Sequence, residues 1–232
     1  MNSHLDRYFY ELAGECPYGK PYTAIYRQAQ FSRLPPKLLD DFLAAGYRRN
    51  GGYLYRMVCP QCRECWPIRI LPQFFRPNRN QRRVARANSD LNMTVGPLDP
   101  SPEKLALADK FLLSRYPGRG NSARDYYSGF FLNSISDTFE VEYRLAGILL
   151  GVAVVDLGAE TLNCVYFYFD PEMEKRSPGI FNILHLLDFA RVHALGMVYL
   201  GYWIENLSAM HYKAYFHPHQ LLREGEWVEV GK

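Results

Sequence analysis

The sequence predicts an α+β fold, and three observations carry that reading. Apolar stretches that alternate like strands crowd the second half, a long apolar stretch at helical spacing follows them, and one more short apolar strand comes after it. The first half is built of shorter pieces separated by turns marked with Pro and Gly. Residues 22–31 alternate loosely and read as a strand. Pro35 and Pro36 open a helix over residues 37–45, and Gly46 stops it. Asn50-Gly51-Gly52 makes a hairpin turn between strands at 46–49 and 53–58. A strand near residues 67–71 follows, then an Arg-rich helix with Pro77 in its first turn that ends near Asn88.

Residues 96–102 hold three prolines and read as a linker. It divides a basic amino-terminal region, residues 1–96, from a carboxy-terminal domain, residues 97–232. Within the latter, Pro102 starts a helix to about residue 116, residues 117–120 form a loop, and residues 125–134 form a second helix. Strands are expected at 138–145, 148–157 and 163–169, a helix at 180–194 and a strand at 197–202. That order is the one expected of an acetyltransferase-like (GNAT-like) domain: an antiparallel-centred sheet with flanking helices, here preceded by a smaller region that contains cysteines.

Composition excludes several classes. Charged residues make up 22% and hydrophobic ones 48%, the balance of a soluble globular chain. No apolar run approaches the roughly 20 residues that cross a bilayer, so no membrane partner is expected. The first residues lack the basic start and apolar stretch of a signal peptide, so the expected location is the cytoplasm. Five cysteines is an odd number, and a disulfide framework is not expected in a reducing compartment.

Charge is unevenly placed. Residues 1–96 carry 15 Lys and Arg against 7 Asp and Glu, whereas residues 97–232 carry 12 against 17. The densest run holds Arg76, Arg79, Arg82, Arg83 and Arg86. Members three or four apart form one guanidinium stripe on a helix. With only Asp90 nearby, the stripe points to a phosphate backbone as partner, against the plainer reading of a solvated face. Cys59, Cys62 and Cys65 supply three sulfurs in seven residues, and Cys16 offers a fourth. Four thiolates satisfy zinc or an iron–sulfur cluster, while a tight turn with inert thiols is the alternative.

These motifs together resemble the aminoacyl-tRNA–protein transferases. The resemblance runs through Cys16-Pro17-Tyr18, Gly46-Tyr47-Arg48-Arg49, Tyr55-Arg56, the cysteine triplet and Asn80-Gln81-Arg82-Arg83. It continues with Tyr166-Phe167-Tyr168-Phe169-Asp170-Pro171, Arg176-Ser177, Tyr199-Leu200-Gly201-Tyr202-Trp203 and Tyr212-Lys213. It implies transfer of an amino acid from its tRNA to a protein N-terminus that begins with Asp or Glu, marking the protein for degradation. It also implies an acetyltransferase-like fold that works without acetyl-CoA or any other required cofactor. The length and triplet spacing resemble the bacterial aspartate/glutamate leucyltransferase branch, and arginyl-tRNA as donor remains the alternative within the family. Two readings stand outside it: a zinc-containing nucleic-acid-binding module without activity, and an ordinary N-acetyltransferase. For the latter, Ser177-Pro178-Gly179 offers too few backbone amides to hold a pyrophosphate.

The chemistry would be aminolysis of an activated ester, in which positioning and oxyanion stabilisation supply most of the rate. The tRNA phosphates are assigned to Arg76, Arg79, Arg82, Arg83 and Arg86. The acceptor carboxylate is assigned to Arg176 and Lys213, and the ester to Tyr168, Asp170 and Tyr202 as catalytic candidates. His185 and His193 have no carboxylate partner or metal spacing in sequence and read as structural.

Overall fold

The computed structural model describes residues 6–231, which form two sheets. The smaller has the order β1-β2-β4-β3, with β1 (Tyr10–Gly14), β2 (Ala24–Gln30), β3 (Arg48–Asn50) and β4 (Tyr53–Met57), all antiparallel. Helix α1 (Pro36–Ala44) connects β2 to β3 and starts with proline at its first position, where a missing N–H costs nothing. It buries Leu39, Phe42 and Leu43. Gly46 then turns the chain at φ +88°, and a Cβ there would stand 2.7 Å from a Leu222 methyl, so only glycine fits.

The larger sheet comprises β5 (Trp66–Ile70), β6 (Asn92–Pro97), β7 (Asp137–Leu145), β8 (Ile148–Leu157), β9 (Thr161–Phe169), β10 (Met197–Trp203), β11 (His219–Arg223) and β12 (Glu226–Val230). Its order is β12-β11-β5-β10-β9-β8-β7-β6. Only β9 and β10 run parallel, because α5 (Pro178–Val192) carries the chain back across the sheet between them. Against one face lie α5 and α2 (Arg79–Ala87), which close a core around Ile68, Val141, Val155, Leu186 and Leu187. Against the other lie α3 (Pro102–Arg115) and α4 (Ala123–Tyr126), the latter running on as a π-helical turn over Tyr127–Phe131, around Phe111, Phe131, Val154 and Tyr168. A short helix α6 (Ser208–His211) and a 3₁₀ turn (Tyr212–Tyr215) follow β10.

The fold is an α+β arrangement with antiparallel-dominated sheets flanked by helices, as the element order implied. The division expected at residue 96 does not divide the structure. It falls inside β6, and β5 sits deep in the larger sheet between β10 and β11. Residues 96–97, read as linker, belong to β6 and pair with Phe139 and Glu140. The Arg-rich helix starts at Arg79, where Asn78 and Gln81 form a reciprocal capping box, so Arg76 and Pro77 lie before it.

Candidate active site

Strands β9 and β10 pair only from Met197–Tyr199 against Thr161–Asn163 and then part. Where they diverge, β10 carries a register shift between Tyr199 and Tyr202, with Gly201 at φ +83°. The bulge turns carbonyls out of the ladder, and two cations read them. Arg48 on β3 donates Nη2 to the Gly201 carbonyl at 3.1 Å, and Nη1 to the carbonyl of Tyr47, the residue before it, at 2.7 Å. Lys213, on the 3₁₀ turn, donates Nζ to Tyr202 O at 2.8 Å.

Neither cation has a carboxylate partner among the described residues. Arg48 is only 4% exposed, its guanidinium lies 5.4 and 5.6 Å from the Tyr199 and Tyr202 ring centres, and its Nε has no hydrogen bond. Burial pushes its pKa down. Burial, with the Arg48 charge added, pushes Lys213 down to about 8. Two desolvated cations without a counter-charge make a region that attracts an anion.

Around them, Tyr202 Oη accepts from Met57 N at 3.2 Å and its ring meets Tyr55 edge-on at 6.2 Å. Burial pushes Tyr55 up to about 12, so both phenols stay protonated donors. Beside Arg48, Arg49 is fully buried against Asp156 on β8, with Nε at 3.0 and 2.8 Å from the two carboxylate oxygens. Asp156 also accepts from Thr138 Oγ1 and Asn163 Nδ2. This buried pair anchors the small sheet to the large one and fixes where Arg48 stands.

The three residues expected to act on the ester do not form a group. Tyr202 lies at the divergence. Tyr168 points into the α3–α4 core and shares a 2.5 Å hydrogen bond with Tyr127. Asp170 caps the turn after β9 through Glu172 N and pairs with Lys110 at 2.8 Å. Of the two acceptor candidates, Lys213 is at the divergence and Arg176 is not. Arg176 is committed to Asp90, at 2.5 and 2.8 Å, and to the Ala87 carbonyl, so it ties the end of α2 to the start of α5. Pro178 occupies the first position of α5. His193 Nδ1 lies 2.9 Å from the Phe189 carbonyl and His185 packs edge-on to Tyr143, as structural histidines do.

Arg79, Arg82, Arg83 and Arg86 all face solvent on α2, whose other side buries Gln81 and Val84. Arg76 instead holds the carbonyls of Gln73 and Phe75. None of the five has a carboxylate within ion-pair distance among the described residues. Cys16, Cys59, Cys62 and Cys65 surround one small cavity with Tyr18, Met57 and Ile204. Burial, then the neighbouring thiols, pushes Cys65 up to about 12. Among the described residues, no three His, Cys, Asp or Glu side chains are placed to hold a metal ion.

Two family descriptions cover the chain: Arginine-tRNA-protein transferase, N terminus, over residues 14–83, and the same family's C terminus over residues 103–223. The chain belongs to the aminoacyl-tRNA–protein transferases. Among its relatives, the aspartate/glutamate leucyltransferase of Marinobacter nauticus is 36% identical over 86% of this chain and 85% of that one. Those of Chromobacterium violaceum and Pseudomonas putida (strain W619) are 36% and 39% identical, over 89% and 82% of this chain and 90% and 82% of theirs. Among solved structures, the C-terminal domain of a putative lysylphosphatidylglycerol synthetase from Agrobacterium fabrum aligns with TM-score 0.53 over 94% of this chain and 82% of that one. At 12% identity it shares the fold alone.

As an aminoacyltransferase the chain uses aminoacyl-tRNA, which excludes a purely binding role. No helix among the described residues is long and apolar enough to cross a membrane. Arg48, Arg49 and Tyr55 belong to the sequence motifs, but their spacing alone assigns them no role. The available signal was an Arg-Arg pair leading into a hairpin with no acid nearby in sequence.

Proposed function

We propose that this aminoacyltransferase moves leucine from leucyl-tRNA to the N-terminal Asp or Glu of cytosolic proteins, marking them for degradation. The observation that carries the reading is the unpaired cationic pair, Arg48 and Lys213, beside the divergence of β9 and β10. An acceptor beginning with Asp or Glu brings a carboxylate within a few bonds of its reacting amine. That carboxylate is the counter-charge these residues lack. Lys213 is the contact, and Arg48 behind it strengthens the field. The relatives named aspartate/glutamate leucyltransferase support the same acceptors and the same donor. Leucine is favoured over arginine because Asp156, the buried acid beside β9, is already engaged by Arg49, Thr138 and Asn163.

The acceptor amine, with a pKa of about 7.7–8.0, is partly neutral at working pH and needs little help to lose its proton. It attacks the ester carbonyl, a C–N bond forms, the C–O bond to the ribose breaks, and the proton shed by nitrogen ends on the ribose oxygen. The Tyr202 and Tyr55 hydroxyls are the neutral donors near the developing oxyanion. Arg79, Arg82, Arg83 and Arg86 are the residues we assign to the tRNA phosphates. The four thiols around one cavity are the donor type that zinc or an iron–sulfur cluster takes, although as they stand no three of them are placed to share an ion, so binding requires them to draw together. Element analysis of anaerobically purified protein decides it: about one site per chain supports a metal there, and five freely titrating thiols without metal would dismiss it.

The decisive assay offers separately charged leucyl- and arginyl-tRNA with peptides beginning Asp, Glu, Asn or Lys, and identifies the product by mass. Leucine added to Asp and Glu peptides alone is the expected result. Lys213→Ala should raise the acceptor KM roughly ten- to a hundredfold and spare tRNA affinity. Efficient transfer to an Asn peptide, or use of arginyl-tRNA alone, would refute the reading.

A further inference from the structure

Strand register in the small sheet separates two unlike faces. Tyr10 opposes Gln28, which opposes Tyr55, which opposes Arg48. Leu12 opposes Tyr26, which opposes Met57, and Gln30 opposes Tyr53, which opposes Asn50. Side chains directly opposite share a face, so one face presents Tyr10, Tyr26, Tyr53 and Tyr55 with the amides of Gln28, Gln30 and Asn50. No Asp or Glu belongs to it. The reverse face carries Glu11, Arg27 and Arg56 and buries Ala29 and Leu54, the latter packed with Leu39, Phe42 and Leu43 of α1.

The aromatic face is half open. Tyr10 is 48% exposed and Leu12 51% exposed, at the free edge of the sheet. From there the rings continue inward. Gln28 Nε2 donates to Tyr10 Oη at 3.0 Å, Tyr26 lies 6.0 Å from Tyr55, and Tyr55 meets Tyr202 at the divergence. At its inner end the face carries Arg48. It therefore begins in solvent and ends at the proposed ester site.

We infer that this face cradles the unpaired 3′-terminal nucleotides of the charged tRNA, with bases stacked on Tyr10, Tyr26 and Tyr53 as the ester reaches the β9–β10 gap. The inference rests on the proposed function, because it needs an aminoacyl-tRNA as donor. Unpaired nucleotides are the part of a tRNA whose bases are free to stack, and four-stranded sheets with exposed aromatics suit them. Each tyrosine offers a sequence-tolerant stacking surface, the amides offer partners for base edges, and the absence of acids spares the phosphates repulsion.

The test compares tRNA with an intact 3′ end against the same tRNA with its unpaired 3′ nucleotides removed, for wild type and a Tyr10→Ser/Tyr53→Ser variant. Wild type should bind the intact tRNA at least about tenfold more tightly, as expected for one or more stacked bases. The variant should bind intact tRNA as weakly as the trimmed one, with affinity for trimmed tRNA unchanged and the circular dichroism of wild type. Three results would overturn the inference. Wild type binds both tRNAs alike; the variant keeps the difference between them; or the variant raises only the acceptor-peptide KM, which gives the face to the acceptor chain. Leucine transfer by wild type to an Asp peptide, run on the same preparation, tests the proposed function separately.

Discussion

Replacing Lys213 by Met should stabilise the protein at neutral pH while it damages acceptor binding. Wild-type Lys213 falls from an ordinary 10.5 to about 8. At 1.36 kcal/mol per unit, keeping the ammonium in this half-buried place costs the native state up to about 3 kcal/mol at pH 7. Local relaxation and partial hydration reduce that cost, and the variant also gives up the hydrogen bond to Tyr202 O, worth about 1 kcal/mol. The net gain at pH 7 is about 1–2 kcal/mol, or roughly 2–8 °C in Tm for a chain of this size. Between about pH 8 and 10.5 the unfolded wild type still holds the Lys213 proton and the native state has released it. Wild-type stability therefore rises with pH across that window relative to the variant. By about pH 10.5 the gain should have vanished, leaving the variant slightly less stable than wild type for want of the hydrogen bond. Urea unfolding of both proteins at pH 7 and about 10 measures the crossover. A variant that is destabilised by the same amount at both pH values would show that Lys213 is not held against its hydration, and the argument for an anion-seeking site would lose its physical basis.

Other outcomes follow from the same geometry. Arg82→Glu with Arg83→Glu should weaken tRNA binding and lower its salt slope by about one released counterion per lost phosphate contact, measured by titration at several salt concentrations. Arg176→Ala should leave the acceptor KM unchanged and cost about 1 kcal/mol of stability, because its guanidinium serves Asp90 and the end of α2. Asp156→Asn should cost about 3–5 kcal/mol in denaturant unfolding, since it leaves the buried Arg49 charge without its partner.

Elements with a clear period were legible in the sequence. The strands from β7 to β9 and helix α5 lie within a few residues of where alternation and helical spacing put them. β1 carried no such signal, since all five of its residues are exposed and nothing in them alternates between core and solvent. β5 was recognised as a strand but not located, because its neighbours are fixed by pairing with Ile70–Val198 and Ile68–Leu221, far along the chain. The site shows the same limit. Lys213 and Tyr202, singled out because the sequence motifs contain them, stand together at the divergence, whereas Arg176 stands apart because it pairs with Asp90, 86 positions earlier. Arg48 was passed over because an arginine leading into a hairpin normally points to water. Only the packing of β3 against the bulge in β10 buries it.

The location of β5 also governs how the chain can be made. During synthesis its apolar side chains, Ile68 and Ile70, emerge long before β10 and β11 exist to flank them. The nascent amino-terminal half thus carries a strand with two open edges, a species prone to pair with other chains. Dissection into a tRNA-binding fragment and a transfer fragment at residue 96 would leave a similar pair of halves, each with an unfilled slot in its sheet. A division of labour between the halves is therefore best probed by point substitution in the whole chain, and recombinant yield should depend on chaperone capacity while β5 waits.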